Sequence, residues 1–263
     1  GAQAIHPGYG FLSENADFSE VCREHGLVFI GPPPEVLARF HDKSATRLAM
    51  KRIGMPVVPG SDGPVRSASE ALRIAEAIGY PVMLKAKAGG GGRGMRKAEA
   101  AKDLQRLWEQ ARGEAKASFG DDGIYVERNL EGVRHIEAQV LVDDRGTGVC
   151  LGERECSIQR RHQKMLEEAP SSTISEELRQ RIKRRAVEAA VHFGYRGVGT
   201  FEFLVDREDR EYFIEVNARI QVEHTVTEAV TGIDLVKEQL ALAAAEPLPF
   251  STERSWLTGN ATR

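Results

Sequence analysis

The ten residues Glu215–His224 hold the densest group of chemically useful side chains in this chain. From residue 215 to residue 223, every odd position is polar and every even position is apolar. Successive side chains of a strand point to opposite faces, so this run would place two carboxylates, two amides and a guanidinium on one face. Such alternation usually indicates a half-buried strand with a solvated polar face. Because Asn is depleted in strands and a solvated face rarely mixes these groups, a binding site is the alternative.

A second glutamate is predicted to face the first residue of this run. A hairpin that pairs Asp206 with Glu211 also pairs Glu202 with Glu215. Directly opposed carboxylates repel each other, and a divalent cation such as Mg²⁺ between them removes the repulsion. Asn217 would add a third oxygen on the same face. A protonated carboxyl pair is one alternative, and a slip of one residue, which would put the glutamates on opposite faces, is another.

A glycine-rich stretch indicates phosphate binding. Four consecutive glycines, residues 89–92, follow Lys85 between a predicted strand and a predicted helix. Glycines allow backbone N–H groups to approach phosphate oxygens closely, and Lys85 would meet the phosphates as a point charge. The stretch matches neither the Walker A pattern nor GxGxxG, and a flexible hairpin or linker is the alternative interpretation.

Gln159–Lys164 is a dense run of cationic and amide side chains. It is either a solvated surface loop or a binding segment for anionic groups, and it lies close enough in sequence to the acidic hairpin to neutralise it. No second histidine at suitable spacing supports His162 as a metal ligand. The sequence has no GxSxG motif, so a serine nucleophile of that type is not indicated.

Composition restricts the classes of function. The chain has 263 residues, enough for about two domains, and its net charge of −3 argues against a general nucleic-acid binder. Its three cysteines include no CxxC pair, which is typical of a reducing compartment. No run of 18 apolar residues and no signal peptide is recognisable. The chain opens without Met, in what reads as the middle of a domain.

Local patterns predict three successive parts. A strand–helix–strand unit over residues 3–30 would end a parallel α/β layer, and a Pro- and Gly-rich linker follows at 56–64. A second unit with the glycine stretch extends to about residue 130. The third part is predicted to contain, in order, a hairpin at 134–155, an aperiodic stretch at 157–170, a helix at 175–193, a hairpin at 200–216 and a helix at 227–244.

Five segments together resemble the biotin carboxylase family, within the ATP-grasp superfamily. They occur in the family's order and are His6–Asn15, Val58–Ser61, Gly89–Met95, Glu155–Lys164 and Glu215–His224. The resemblance implies an α+β chain with the ATP-grasp fold, in which a glycine-lid subdomain joins an antiparallel-sheet subdomain after the end of a parallel α/β N-terminal domain. The corresponding boundaries are 1–57, 58–130 and 131–263.

The resemblance also implies an activity. Members of the family use Mg-ATP to phosphorylate bicarbonate, and the carboxyphosphate formed releases CO₂ that carboxylates a ureido nitrogen of biotin. The implied cofactors and substrates are ATP, Mg²⁺ or Mn²⁺, and carrier-bound biotin. The implied partners are a biotin carboxyl carrier protein or domain, a carboxyltransferase component and, at full length, a second copy of the chain, with no nucleic acid and no membrane. The expected compartment is the cytoplasm or the mitochondrial matrix.

Site residues follow from the resemblance position by position. Those implied to bind ATP are Lys43, Lys85, Gly91, Gly92, Glu127, Arg128, Asn129, Leu130, His135, Gln159, His162, Glu202 and Glu215. Those implied to bind metal are Glu202, Glu215 and Asn217. Bicarbonate would contact Lys164, Arg219, Gln221 and the Val222 backbone, with Glu223 as the general base and Arg219 and Lys164 also catalytic. Biotin would contact Tyr9, Gly10 and Arg219.

This sequence also departs from the family pattern. Only the end of the N-terminal domain is present, and the family continues past residue 263 with an arginine, thought to stabilise the biotin enolate, that has no counterpart here. We therefore expect nucleotide binding with poor turnover. A different ATP-grasp ligase, such as a carbamoyl phosphate synthetase-like domain, and a non-catalytic ATP-binding module are the alternatives.

Overall fold

The computed structural model describes residues 1–87, 94–160, 163–249 and 259–262. The chain forms two compact units. The first comprises Gly1–Pro56, Arg134–Ile158 and Lys164–Arg263, and the second comprises Val57–Val133 and Gln159–Gln163. The predicted division at residues 57 and 130 stays a prediction. Within the described ranges, no helix combines the length and the apolar character that a membrane span requires.

Eight helices and eleven strands are assigned among the described residues. The helices are α1 Ala16–Glu24, α2 Pro34–His41, α3 Lys43–Arg52, α4 Ala68–Ile78, α5 Ala101–Phe119, α6 Glu176–His192, α7 His224–Thr231 and α8 Leu235–Ala243. The strands are β1 Ala4–Ile5, β2 Val28–Phe29, β3 Val82–Ala86, β4 Met95–Ala98, β5 Ile124–Arg128, β6 Arg134–Val142, β7 Gly148–Arg160, β8 Gln163–Ala169, β9 Gly197–Val205, β10 Glu211–Asn217 and β11 Ala261–Thr262.

The first unit begins with the predicted parallel layer. Strands β1 and β2 pair in parallel, with Ala4 opposite Val28. Helix α3 starts directly after Asp42, whose carboxylate accepts the backbone N–H groups of Ser44 and Ala45. Such an N-cap satisfies donors that the first helical turn leaves unpaired, and here it fixes Lys43 as the first helical residue.

A six-stranded sheet dominates the first unit, in the order β10-β9-β6-β7-β8-β11. The pairings of β10 with β9, β9 with β6, β6 with β7 and β8 with β11 are antiparallel. Period two sends Phe201 and Phe203 of β9 to one face, where they are fully buried. Thr200 and Glu202 therefore point to the opposite face, and they are buried as well. The sheet thus has an apolar core face and a second face that buries polar groups.

The hairpin of β9 and β10 corrects one predicted pair and confirms another. Glu211 lies opposite Val205, not Asp206 as predicted. The carboxylate of Asp206 instead accepts two backbone N–H groups of the turn, including that of Arg210. The register then shifts by one residue between Phe213 and Glu215, and this irregularity brings Glu215 opposite Glu202. The predicted glutamate pair is therefore present, because the register shift offsets the error in the turn.

Three element predictions were wrong in the first unit. Strand β10 ends at Asn217, so the alternating run does not continue as a strand to residue 224. The aperiodic stretch at 157–170 contains the end of β7 and all of β8. The single helix at 227–244 is two helices, because Gly232 takes a left-handed conformation with φ 70° and Asp234 caps α8.

The second unit is a three-stranded sheet in the order β4-β3-β5, packed against α4 and α5. Its core contains Leu84, Leu104 and Val126, all fully buried. Strands β3 and β4 are antiparallel, with Lys85 opposite Met95. The glycine stretch therefore connects two strands, and the prediction that it leads from a strand into a helix was wrong. Gly94 has φ 71°, and a Cβ there would lie 2.7 Å from that of Ala86, so the strand entry requires glycine.

Candidate active site

A row of charged residues crosses the polar face of the six-stranded sheet. Glu215 lies opposite Glu202, Glu202 opposite Glu137, and Glu137 opposite Arg154, so the row passes through four neighbouring strands. Directly opposed residues have Cβ atoms about 4.5–5.5 Å apart, and like charges at that spacing repel. Glu215, Glu202 and Glu137, which we call the carboxylate row, therefore require cationic partners.

Lys164 of β8 is the main cation at the carboxylate row. Its ammonium forms ion pairs with Glu137, with Glu202 Oε1 at 3.0 Å and with Glu223 Oε1 at 2.6 Å. Burial opposes its charge, but the attraction of these three carboxylates raises the pKa of Lys164 above the ordinary value for lysine. Lys164 therefore stays an ammonium at any physiological pH.

His135 of β6 contacts two of the same carboxylates, those of Glu202 and Glu137. Its Nε2 lies 2.7 Å from Glu202 Oε2 and 3.5 Å from Glu137 Oε1. Burial acts against the imidazolium, but the hydrogen bond and charge of Glu202 raise the pKa of His135. Burial acts likewise against the Glu202 carboxylate, but His135 and then Lys164 lower its pKa. The two groups thus stabilise each other as an ion pair.

Lys43 neutralises the outer end of the row. As the first residue of α3, it forms an ion pair with Glu215. Burial lowers the pKa of Lys43, but the attraction and hydrogen bond of Glu215 outweigh this effect and raise it. The implied phosphate-binding lysine therefore lies directly beside one of the implied metal-binding glutamates.

The polar side chains after Glu215 converge on Glu202 although they do not form a strand. Asn217 Nδ2 and Gln221 Nε2 donate to Glu202 Oε1 at 2.6 and 3.0 Å. Arg219 Nη2 donates to Asn217 Oδ1 at 3.0 Å. The sequence analysis correctly predicted that these side chains lie together, but it attributed this to a strand. Residues 218–223 belong to no strand, and Gln221 nevertheless contacts Glu202.

Glu14 holds the start of this folded segment. Its carboxylate accepts the backbone N–H of Ala218 at 2.7 Å and Arg219 Nε at 3.1 Å. Glu14 and Ala218 are 204 residues apart in the chain, so no local pattern could have indicated the contact. Sequence reasoning also missed Glu137 and Arg154. A signal for Glu137 existed, since it follows His135 by two residues in a predicted strand and shares its face.

The carboxylate row fits a magnesium ion by its donor chemistry. Glu202 and Glu215 are adjacent carboxylates, and Mg²⁺ in nucleotide sites typically takes one or two carboxylates together with phosphate oxygens. A second donor set, His135 with Glu137 and Glu202, has its ligand atoms within 4.8 Å of one another. Because Mg²⁺ prefers carboxylate oxygens to an imidazole nitrogen, the glutamate pair is the better candidate.

Asn217 is less ready to act as a ligand. Arginine only donates hydrogen bonds and an ionised carboxylate only accepts them, so Asn217 must turn its oxygen to Arg219 and its NH₂ to Glu202. The amide oxygen is therefore directed to Arg219 and not to Glu202. A metal ion would gain this ligand only after the amide group rotates.

The other predicted site residues lie in the second unit, in the first unit or outside the described residues. In the second unit, Lys85 Nζ donates to Glu127 Oε2 at 2.5 Å, while the backbone N–H groups of Arg128 and Asn129 donate to carbonyls of that same unit. In the first unit, Tyr9 and Val222 are exposed at 56% and 42%. Also in the second unit are Leu130 and Gln159. Gly91, Gly92 and His162 lie outside the described residues.

Two family profiles match the chain. Residues 42–251 match the family described as carbamoyl-phosphate synthase L chain, ATP binding domain, and residues 1–37 match the biotin carboxylase N-terminal domain. The chain is 52% identical over 260 residues to a biotin carboxylase of Nostoc sp. and 53% identical over 262 residues to that of Haemophilus influenzae. Each alignment covers 99% of this chain but only 58% of the relative.

Solved structures give the same result. The biotin carboxylase–βγ-ATP complex of Campylobacter jejuni superposes with a TM-score of 0.93 at 49% identity. The biotin carboxylase domain dimer of a Hydrogenobacter thermophilus 2-oxoglutarate carboxylase, in complex with MgADP, ADP and bicarbonate, superposes with a TM-score of 0.92 at 49% identity. Each superposition covers 99% of this chain and 58% of the solved chain, so the chain spans little more than half the length of these relatives.

Proposed function

Because the chain belongs to the biotin carboxylase family of ATP-grasp proteins, we propose that it uses Mg-ATP to phosphorylate bicarbonate and then carboxylates carrier-bound biotin. One observation carries the proposal most directly. The carboxylate row, its lysines and the 218–223 segment bring metal-binding, anion-binding and proton-accepting groups together around Glu202. A solved relative was obtained with both MgADP and bicarbonate.

In the proposed reaction, the protein mainly neutralises and positions charge. Glu202 and Glu215 would hold magnesium, which supplies charge neutralisation for the triphosphate of ATP. Lys43 and Lys85 would contact the phosphates as point charges. Phosphoryl transfer depends largely on such positioning and electrostatic stabilisation, since little covalent chemistry is left to the protein.

Bicarbonate would bind between Lys164 and the 218–223 segment. Arg219 offers a planar fork that matches a carboxylate-like anion, and the Gln221 amide and the Val222 backbone N–H add donors. Glu223, whose Oε1 lies 2.6 Å from the Lys164 ammonium, takes the proton of bicarbonate. The freed oxygen attacks the γ-phosphorus, ADP leaves, and the carboxyphosphate formed divides into CO₂ and phosphate. A ureido nitrogen of biotin, near Tyr9, Gly10 and Arg219, then takes up the CO₂ and gives its proton to phosphate.

The proposed partners follow from this chemistry. Biotin would arrive on a carrier protein or domain, and a carboxyltransferase component would use the carboxylated product. We also propose a homodimer for the full-length protein and a cytoplasmic or mitochondrial-matrix location. Relatives of known structure include the biotin carboxylase subunit of a pyruvate carboxylase and the biotin carboxylase domain of a 2-oxoglutarate carboxylase.

A second candidate is a carbamoyl phosphate synthetase-like reaction, in which ammonia replaces biotin as the acceptor. The family profile over residues 42–251, which carries the carbamoyl-phosphate synthase description, favours it. The two candidates share the phosphorylation of bicarbonate and differ in the nucleophile that follows. The identity of the labelled product therefore separates them.

We expect radiolabelled bicarbonate, with Mg-ATP, to label biotin in an acid-labile product. Reactions without biotin and reactions with ammonia in its place are the controls. Ammonia-dependent label in carbamate, or in carbamoyl phosphate after a second ATP phosphorylates the carbamate, would favour the second candidate. No labelled product with either acceptor, together with tight Mg-ATP binding, would favour a non-catalytic ATP-binding module.

A further inference from the structure

Arg154 of β7 is a fully buried arginine at the inner end of the charged row. Its exposed fraction is 0%, and its neighbour Glu137 is equally buried. Its two terminal nitrogens lie within hydrogen-bond distance of five side chains. Nη1 donates to Gln139 at 2.7 Å and Thr227 at 2.9 Å, and the two hydrogens of Nη2 are shared among Gln221 at 2.8 Å, Glu137 at 3.1 Å and Thr200 at 3.3 Å. A buried guanidinium is costly unless it is paired and hydrogen-bonded, so this density of contacts points to a specific role.

Arg154 determines how the Gln221 amide is oriented. Because a guanidinium only donates, Gln221 must turn its Oε1 towards Arg154 Nη2. The NH₂ group then points the other way and donates to Glu202 Oε1 at 3.0 Å. The amide thus presents donors to the site, which is the orientation that an anion requires. The opposite orientation would direct the amide oxygen at Glu202, where two acceptors repel.

Arg154 also anchors the segment that carries Gln221. Residues 218–223 belong to no strand, so no ladder of backbone hydrogen bonds holds them. The guanidinium contacts Gln221 within this segment and Thr227 in the helix that follows. Its position is in turn fixed by Gln139, whose Nε2 donates to the Gly199 carbonyl at 2.9 Å. One buried group therefore ties the segment to the sheet.

We propose, on the premise of the function proposed above, that Arg154 is a positioning residue that orients the Gln221 amide and thereby sets the affinity for bicarbonate. It touches neither bicarbonate nor ATP in this arrangement. Its effect is transmitted through the orientation of one amide group and one short segment.

The test is Arg154→Lys, which keeps the positive charge and loses the fork. We expect the bicarbonate concentration for half-maximal ATP cleavage to rise about tenfold or more, as for loss of a charge-assisted hydrogen bond. The KM for Mg-ATP should stay within about twofold. In a Gln221→Ala background, Arg154→Lys should change the bicarbonate requirement less than about twofold, because the amide it orients is gone. Effects that multiply in the double variant would overturn the proposal.

Arg179→Lys is the matched control. Arg179 is a largely buried arginine of the same unit that donates to Glu153 at 2.7 Å and to the Ser171 carbonyl at 2.8 Å. Arg179→Lys should lower the Tm, as Arg154→Lys should, and should leave the bicarbonate requirement unchanged. A bicarbonate effect as large as that of Arg154→Lys would mean general destabilisation and would overturn the proposal.

Two further measurements test the positioning role of Arg154, one by kinetics and one by NMR. Thr227→Val removes one anchor of the guanidinium at nearly constant volume. It should raise the bicarbonate requirement about threefold, because the guanidinium loses one hydrogen bond and keeps its others. A bicarbonate requirement of Thr227→Val equal to that of wild type would count against the proposal.

In ¹H–¹⁵N spectra, the Gln221 side-chain NH₂ signals, assigned through Gln221→Ala, should shift strongly in Arg154→Lys. Unchanged signals would overturn the positioning role, whereas wild-type protein without bicarbonate-dependent ATP cleavage would overturn the proposed function itself.

Discussion

Replacing Glu202 with glutamine is expected to lower bicarbonate-dependent ATP cleavage by about a thousandfold or more, since charge stabilisation worth several kcal/mol depends on this carboxylate. Glu202 is half of the glutamate pair and accepts hydrogen bonds from His135, Lys164, Asn217 and Gln221. Glutamine keeps the shape but removes the charge. It also offers an NH₂ group where every neighbour donates, so the acceptor pattern of the site is lost.

The measurement is steady-state ADP formation with saturating bicarbonate, together with the Mg-ATP affinity from calorimetry. Both should fall for Glu202→Gln, and the variant should still fold because Lys164 retains Glu137 and Glu223 as partners. Glu155→Gln is the matched control. Glu155 is a buried carboxylate of β7 that accepts from Ser171 and Thr173, and its partner on β6 is Ile136, which is not part of the carboxylate row. Equal losses for both variants would show that a buried charge, and not the site, is responsible.

Glu223→Gln is expected to lower bicarbonate-dependent ATP cleavage by about a hundredfold to ten-thousandfold, the usual contribution of a general base. The Mg-ATP affinity should stay within about twofold, because the metal-binding glutamates remain. The glutamine oxygen can still accept from Lys164, so the ion-pair geometry around Lys164 is largely kept. Loss of rate without loss of nucleotide binding is therefore the expected signature.

Glu228→Gln is the control for Glu223→Gln. Glu228 is an acid of α7, five residues further on, whose carboxylate accepts the backbone N–H of Leu235. Its replacement should leave ATP cleavage near the wild-type rate. Full activity of Glu223→Gln would instead remove Glu223 from the mechanism. If wild-type and variant both bound ATP without cleaving it, the chain would be a binding module.

Local sequence patterns predicted which residues form the site better than they predicted how those residues are arranged. The alternation after Glu215 identified the side chains that gather around Glu202, although β10 ends at Asn217. The alternation of polar and apolar residues indicates only which side chains can lie in the same environment. It contains no information on Glu14, whose carboxylate accepts the backbone N–H of Ala218 directly after the strand. The pair of Glu202 and Glu215 was likewise predicted from a pairing at the turn that is wrong, and the register shift in β10 restores the predicted pair.

Sheet order was the information that the sequence lacked. Glu137 and Arg154 join the site because β6 lies between β9 and β7, an arrangement that hairpin signals do not determine. A buried arginine among carboxylates also reads as ordinary surface charge in a sequence. By contrast, α6 was predicted within one or two residues, because its cap at Ser175 is a local signal.

The source of the oxygen in the released phosphate tests the central claim most directly. If bicarbonate attacks the γ-phosphorus of ATP, one oxygen atom of ¹⁸O-labelled bicarbonate must appear in each phosphate released. Short reactions, analysed before the label exchanges with water, allow this to be measured by mass spectrometry with Glu223→Gln as the inactive comparison. We predict phosphate that carries one bicarbonate oxygen. Phosphate whose new oxygen comes from water would contradict the account, since ATP would then be hydrolysed without activating bicarbonate.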